Sequence, residues 1–228
     1  MTASTPTVIA RSVRINTAGV SLNGDLNLPT AARGLVVFAH GSGSSRHSSR
    51  NRAVAEVLQR ARLGTLLLDL LTEREEQIDI TTAEFRFNVP LLGDRVVAAI
   101  EWATGHDAIR SLPFGVFGAS TGAAAALIAA AARPSIVRAV VSRGGRPDLA
   151  ERWLDNVIAP TLLIVGGRDD VVIELNRQAL GRLNGAKELK IVPGATHLFE
   201  EPGAFEHVSR LARDWFVQYL VPQYGPGK

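Results

Sequence analysis

Short runs of unbroken apolar residues alternate with segments of helical period along most of the chain. Leu35–Ala39, Thr65–Leu70, Phe114–Phe117, Val137–Val141 and Thr161–Val165 are rich in Val, Leu and Ile, and Glu188–Val192 is a weaker run of the same kind. Hydrophobicity that does not alternate implies strands covered on both faces, as in a parallel sheet. Between these runs, Val54, Val57, Leu58 and Ala61 recur at helical spacing, as do Leu92, Val96 and Ile100, then Val172, Leu175, Ala179, Leu180 and Leu183. A last stripe carries Phe205, Val208, Leu211, Ala212, Trp215, Phe216 and Tyr219. Such stripes are the core-facing sides of surface helices. Ahead of them, Ser12–Asn16 and Val20–Leu28 alternate around Ala18–Gly19, a hairpin signal. The pattern predicts an α/β three-layer sandwich: a mostly parallel sheet of about eight strands, opened by an antiparallel hairpin, with helices on both faces. In such sheets ligands bind beyond the carboxyl ends of the strands. Residues that directly follow an apolar run are therefore the candidates for chemistry.

A chain of 228 residues fits one domain, with a core over about residues 12–220 and residues 221–228, rich in Pro and Gly, as a flexible tail. With 46% hydrophobic and 21% charged residues, wholesale disorder is excluded. There is no Cys, so neither a disulfide nor a thiolate nucleophile is available. The formal charge is only +3, and no run of five like charges occurs, so a nucleic-acid partner is not expected. The start MTASTPTVIARSVRIN lacks the apolar stretch of a secretory leader, and a cytoplasmic location is the expectation. Ser111–Ala132 carries no charge and has the length of a membrane span. Pro113, Gly115, Gly118 and Gly122 interrupt it, so it reads as a buried strand, a tight turn and a buried helix, and no membrane partner is expected. No His-x-x-x-His or carboxylate cluster has metal-ligand spacing, and no metal or cofactor is expected.

Three loops follow apolar runs and carry reactive groups. Gly118-Ala119-Ser120-Thr121-Gly122 comes after Phe114–Phe117 and precedes the small-residue helix Ala123–Ala132. With 21 Gly and 13 Ser in 228 residues, composition alone gives about 0.1 occurrences of G-x-S-x-G. At a strand-to-helix turn the motif projects the serine hydroxyl clear of the sheet, with helix N-terminal N–H groups beside it. Serine is a weak nucleophile and needs a base, itself oriented by an acid. In this architecture the acid and then the base follow the serine along the chain. Gly166-Gly167-Arg168-Asp169-Asp170 follows Thr161–Val165, and Pro193-Gly194-Ala195-Thr196-His197 follows Glu188–Val192. His197 is the candidate base, and the acid is Asp169 or Asp170, either of which can instead cap the next helix.

The third loop is His40-Gly41-Ser42-Gly43-Ser44-Ser45, after Leu35–Ala39. Its glycines allow close approach of backbone, and the N–H groups of Ser42 and Thr121 are the candidate oxyanion donors. Arg46 and Arg50 follow this loop, and Arg143 and Arg146 follow Val137–Val141 on the same edge. Arginine suits bidentate recognition of carboxylate or phosphate, so Arg46 and Arg143 are candidate substrate contacts for a small acyl compound with an anionic group.

HGSGSS, GASTG, GGRDD and GATH, in this order and spacing, resemble the α/β-hydrolase superfamily, and within it the dienelactone-hydrolase-like group, from about Val20 to Leu220. The resemblance implies hydrolysis of an ester, thioester or lactone by Ser120, His197 and Asp169 through an acyl-enzyme. It also favours Asp169 over Asp170, because the acid of the superfamily commonly stands three residues beyond the glycine that ends its strand, here Gly166. Dienelactone hydrolases use cysteine where this chain has Ser120, which points away from dienelactone itself. Similar segments occur fused to phosphoribosyltransferase domains, and no such second domain is expected in this sequence. Between Leu71 and Pro90 the chain reads as a short connection without a cap domain, which implies an open pocket.

Two other readings compete. A nucleotide-binding loop is suggested by Gly41-Ser42-Gly43, but the dinucleotide fingerprint then needs a small residue where Arg46 stands. The Tyr-x-x-x-Lys pair Tyr224 and Lys228 falls around Gly225-Pro226-Gly227, where no helix forms. A binding protein that keeps the hydrolase fold without activity is the other; the complete serine, acid and histidine set speaks against it.

Overall fold

The structure, a computed structural model, describes residues 6–221. Strands β1 (Val8–Thr17) and β2 (Val20–Pro29) form the hairpin. Ala18 and Gly19 at its tip both take positive φ, 42° and 79°, the mirror-image turn that matches strand twist. Six more strands follow: β3 (Leu35–Ala39), β4 (Gly64–Leu68), β5 (Phe114–Ala119), β6 (Val137–Arg143), β7 (Thr161–Gly166) and β8 (Lys187–Val192). The sheet order is β1-β2-β4-β3-β5-β6-β7-β8. Pairings β1–β2 and β2–β4 are antiparallel, and all the others are parallel. The carboxyl ends of β3 to β8 therefore share one edge.

Helices cover both faces. On one lie α3 (Val89–Thr104), α4 (Thr121–Ala132), α5 (Asp170–Arg182) and a 3₁₀ segment, Pro147–Asn156. On the other lie α1 (Ser49–Arg60) and α6 (Ala204–Leu220). Val54 and Leu58 of α1 and Val208 and Phe216 of α6 pack there with Phe38 and Phe117, whose rings stand 4.9 Å apart. The uncharged stretch Ser111–Ala132 resolves into β5 and α4, whose first ten residues are all buried. A helix without a polar face is a core helix of a layered protein. No helix among the described residues is long and apolar enough to cross a membrane.

Two expectations need correction. Leu71–Pro90 is not a plain connection: it contains α2 (Glu73–Thr82). This helix has almost no apolar stripe, so periodicity hides it. Its start is a capping box, in which Thr72 Oγ1 accepts from Glu75 N–H and the Glu75 carboxylate accepts from Thr72 N–H. Val221, assigned to the tail, is buried against the α1/α6 core. The rest of that tail, with Tyr224 and Lys228, lies outside the described residues.

Candidate active site

The turn after β5 holds Ser120 at φ 51° and ψ −123°. This is a strained conformation for a residue with a side chain, costing about 1–3 kcal/mol. Packing enforces it from both sides. A Cβ on Gly118 would meet Ala123 Cα at 2.4 Å, and one on Gly122 would meet the carbonyl oxygens of Ala39 and His40 at 2.4 Å. Neither position accepts any other residue without moving backbone. Ser120 N–H donates to Arg143 O at 3.1 Å, and its carbonyl accepts from Arg146 N–H at 3.1 Å. Ser120 caps α4 without using its hydroxyl on the helix, which leaves Oγ for other partners. Thr121 N–H opens the helix and has no intrahelical acceptor.

The loops after β7 and β8 are zipped together. Gly167 N–H donates to Val192 O at 2.8 Å, and Arg168 N–H to Ala195 O at 2.9 Å. The crossing is so close that a Cβ on Gly166 would stand 2.5 Å from the carbonyls of Ala195 and Thr196. At the end of the zipper, His197 Nδ1 and Asp169 Oδ2 are 2.6 Å apart. A carboxylate only accepts, so Nδ1 carries the proton and Nε2 of neutral His197 is left with a lone pair. Asp169 is the N-cap residue of α5 but makes no capping hydrogen bond with its side chain. Asp170 is exposed in the first turn of α5, and the carboxylate that meets His197 is that of Asp169. Phe199, two residues beyond His197, is buried in the α1/α6 core and anchors this loop.

The structure draws no hydrogen bond between Ser120 and His197, but brings their neighbours together. The imidazole lies against Gly144, where an added Cβ would stand 3.5 Å from His197 Cε1. Gly144 directly follows Arg143, the residue whose carbonyl holds Ser120 N–H. Catalytic hydrogen bonds in unliganded enzymes are often long and tighten with substrate.

The loop after β3 departs from expectation. Ser42 N–H does not face open space: it donates to Thr121 Oγ1 at 2.9 Å, and the two hydroxyl oxygens are 3.0 Å apart. Gly41 approaches the turn that holds Ser120, since a Cβ there would lie 3.0 Å from Ser120 Cβ. His40 is a structural residue. Its Nε2 accepts from Leu70 N–H at 3.0 Å, so Nδ1 carries the proton donated to Gly41 O at 2.9 Å. Burial pushes its pKa below the ordinary histidine value, against smaller opposing effects of Gly41, Asp69 and Glu76.

The arginines separate into two kinds. Arg46 is spent inside the protein: its guanidinium meets Asp69 and lies 3.6 Å from Asp25, and its N–H donates to Asp69 Oδ1 at 2.7 Å. The expectation that Arg46 contacts substrate is therefore corrected. Arg50 pairs with Glu200 at 2.7 Å, and Arg146 pairs with Asp148 at 2.8 Å. Arg143 is buried and has no such partner among the described residues.

Beside Ser42 and Thr121, under α2, lies a cavity of about 250 Å³ with an apolar wall of Leu70, Leu71, Ile80 and Leu92. The turn that closes it was not read from the sequence. Asp79 accepts from Phe85 N–H, Arg86 N–H and Arg86 Nε, at 2.7, 2.9 and 2.7 Å. The carbonyl of Arg86 in turn accepts from Ser42 Oγ at 3.3 Å. Helix α2 and this turn therefore roof one side of the pocket. No group of three or more His, Cys, Asp or Glu side chains among the described residues is placed to hold a metal ion.

A model of the dienelactone hydrolase family matches residues 51–219. The chain is similar to the crystal structure of a dienelactone hydrolase from Anabaena variabilis ATCC 29413, with 55% identity, a TM-score of 0.92, and coverage of 95% of this chain and 100% of that one. It shares its fold with Est1E from Butyrivibrio proteoclasticus, at 17% identity and a TM-score of 0.76 over 91% of this chain and 98% of that one. It is also 53% identical over 225 residues to a Mycobacterium tuberculosis H37Rv protein named as a phosphoribosyl transferase, covering 99% of this chain and 49% of that protein. The chain thus spans about half the length of the curated relatives it matches.

Proposed function

The chain belongs to the dienelactone hydrolase family, and from that premise we propose that it hydrolyses small esters, thioesters or lactones, with Ser120 as nucleophile, His197 as base and Asp169 as the group that orients the base. The observation that carries this reading is the 2.6 Å contact of Asp169 with His197 Nδ1 at the sheet edge where Ser120 stands on its strained turn. It fixes the tautomer in which Nε2 is the proton acceptor.

The substrate's apolar part enters the cavity beneath α2, and its carbonyl meets Ser120. Oγ attacks the carbonyl carbon while Nε2 of His197 takes the hydroxyl proton. Negative charge develops on the carbonyl oxygen, next to Thr121 N–H at the start of α4, where the helix dipole also favours it. Ser42 N–H joins as second donor by leaving the hydroxyl of Thr121. His197 then gives its proton to the departing alkoxide or thiolate, leaving an acyl ester on Ser120. Water, deprotonated by the same nitrogen, releases the acid.

A serine-directed fluorophosphonate and a panel of nitrophenyl esters, thioesters and lactones test the reading together. Wild type should be labelled and active. Ser120→Ala should lose the label and about 10³-fold or more in kcat. An unlabelled, inactive wild type, or a Ser120→Ala variant of wild-type rate, overturns it.

A further inference from the structure

One buried polar side chain stands where an apolar one would serve the helix better. Helix α5 turns Val172, Ile173, Asn176 and Ala179 inward, and Asn176 is fully buried among them. Asparagine is among the weaker helix formers, and burying its amide is costly unless both ends find partners. Here only one end does. Nδ2 donates to Val172 O, one turn back, at 2.7 Å and to Gly145 O at 3.0 Å. Oδ1 is buried without a hydrogen-bond partner among the described residues. Chemistry fixes this orientation, because both neighbours are carbonyl oxygens and only the NH2 end of the amide donates. Nothing in α5 itself calls for an asparagine, so the reason for it lies at Gly145.

Gly145 belongs to the turn that leaves β6, and the residues of that turn all bear on the site. Arg143 O accepts from Ser120 N–H, and Arg146 N–H donates to Ser120 O, both at 3.1 Å. Gly144, at φ 51°, packs against the histidine: an added Cβ would stand 3.2 Å from His197 O and 3.5 Å from Cε1. Its N–H ties the turn to β7 through Ile164 O at 2.8 Å. Gly145 is buried and wedged, since a Cβ there would collide with Ser142 Oγ and stand 2.6 Å from Ala123 Cβ of α4. A buried carbonyl needs a donor, and for Gly145 that donor is the Asn176 amide. The same helix begins at Asp169, the partner of His197. Asn176 thus joins the helix that starts at Asp169 to the turn that grips Ser120 at two points and backs the imidazole.

We propose that Asn176 is a positioning residue for hydrolysis: its hydrogen bond to Gly145 sets the height of the 143–146 turn, and with it the separation of Ser120 Oγ from His197 Nε2. This rests on the hydrolase reading above. The bond touches neither substrate nor reacting atoms. Its loss therefore slows the chemical step and leaves substrate binding alone, because a displacement of about 1 Å between reacting groups costs about 10²-fold in rate.

Two variants test this. Asn176→Leu fills the space and removes both hydrogen bonds. Asn176→Ser can still donate to the carbonyl four residues back in its own helix, but is too short to reach Gly145. With nitrophenyl acetate, both should lose about 10- to 100-fold in kcat, with KM within about threefold of wild type. Rates are counted per site that a fluorophosphonate labels at completion, so unfolded protein does not dilute them, and the labelling rate constant should fall by a similar factor. A lower urea midpoint with wild-type kcat per labelled site would mean that Asn176 serves stability alone, and overturns the proposal. So does a wild-type kcat in Asn176→Ser beside an impaired Asn176→Leu, since only the bond within the helix would then matter. A tenfold rise in KM at constant kcat overturns it as well. Asn176→Ser decides if Asn176→Leu does not fold. A wild type that is neither labelled nor active sinks the hydrolase reading, whereas an active wild type with unimpaired variants sinks only the role of Asn176.

Discussion

The backbone N–H of Ser42 donates to the side-chain hydroxyl of Thr121 at 2.9 Å. The candidate oxyanion donor from the β3 loop is thus occupied, and by the residue whose own N–H is the other donor. In the proposed mechanism the arriving oxyanion displaces a hydroxyl from one donor while the other waits at the mouth of α4. Thr121→Val keeps the shape and removes that competitor. It should raise kcat/KM on a neutral ester by about two- to tenfold, the worth of one ordinary hydrogen bond. Steady-state rates on nitrophenyl acetate check this. A tenfold loss would mean instead that the hydroxyl is needed to hold the loop.

In the proposed mechanism Asp169, whose carboxylate meets His197, is the acid. Asp169→Asn should lower kcat by about 10²- to 10⁴-fold, because an amide can present its N–H to Nδ1 and favour the wrong tautomer. Asp170→Asn, exposed on the first turn of α5, should stay within about threefold, since the dipole effect it loses is small. The reverse ranking in parallel assays would transfer the role to Asp170.

Gly166 and Gly181 make a matched pair. Alanine at Gly166 would force the β7 and β8 loops apart, because its Cβ meets two carbonyl oxygens at 2.5 Å. Displacing His197 and Asp169 by about 1 Å should cost about 10²-fold in kcat. Alanine at Gly181, inside α5 with nothing within 4 Å of its Cβ, should add up to about 1 kcal/mol of stability and leave the rate alone. Activity and urea denaturation of both variants separate the two effects.

Asp79 gives a pH signature. Burial pushes its carboxyl pKa up, but the hydrogen bonds from Arg86 and Phe85 outweigh this and hold it below the usual value. A carboxyl with a lowered folded pKa contributes stability above its unfolded pKa of about 4 and loses it as pH falls through the folded value. Asp79→Asn should therefore be less stable than wild type at pH 7 by about 1–3 kcal/mol. The gap should narrow below about pH 4. Urea midpoints measured from pH 7 to pH 3 check the trend; a constant gap would contradict it.

The central strands β3 to β7 were readable because burial on both faces leaves a continuous apolar signature, and the candidate site residues stand out because their loops follow strands. Helix α2 escaped because it packs little apolar surface, although Thr72 and Glu75 spell its cap. The sequence could show that an arginine stood at each of positions 46, 50, 143 and 146, but not which had an acid nearby. Asp69, which neutralises Arg46, comes from the end of β4, and only the β3–β4 pairing joins them. The Ser42–Thr121 bond spans 79 positions and depends on side-chain rotamers that no local pattern specifies.

The sheet order carries a last consequence. Asp169 and His197 ride on β7 and β8, which pair with each other, whereas Ser120 leaves β5, with β6 in between. In the proposed mechanism the proton-handling couple and the attacking atom are thus separate modules on one scaffold. Exchanging oxygen for sulfur at position 120 would therefore change the reactivity of one module without rebuilding the other.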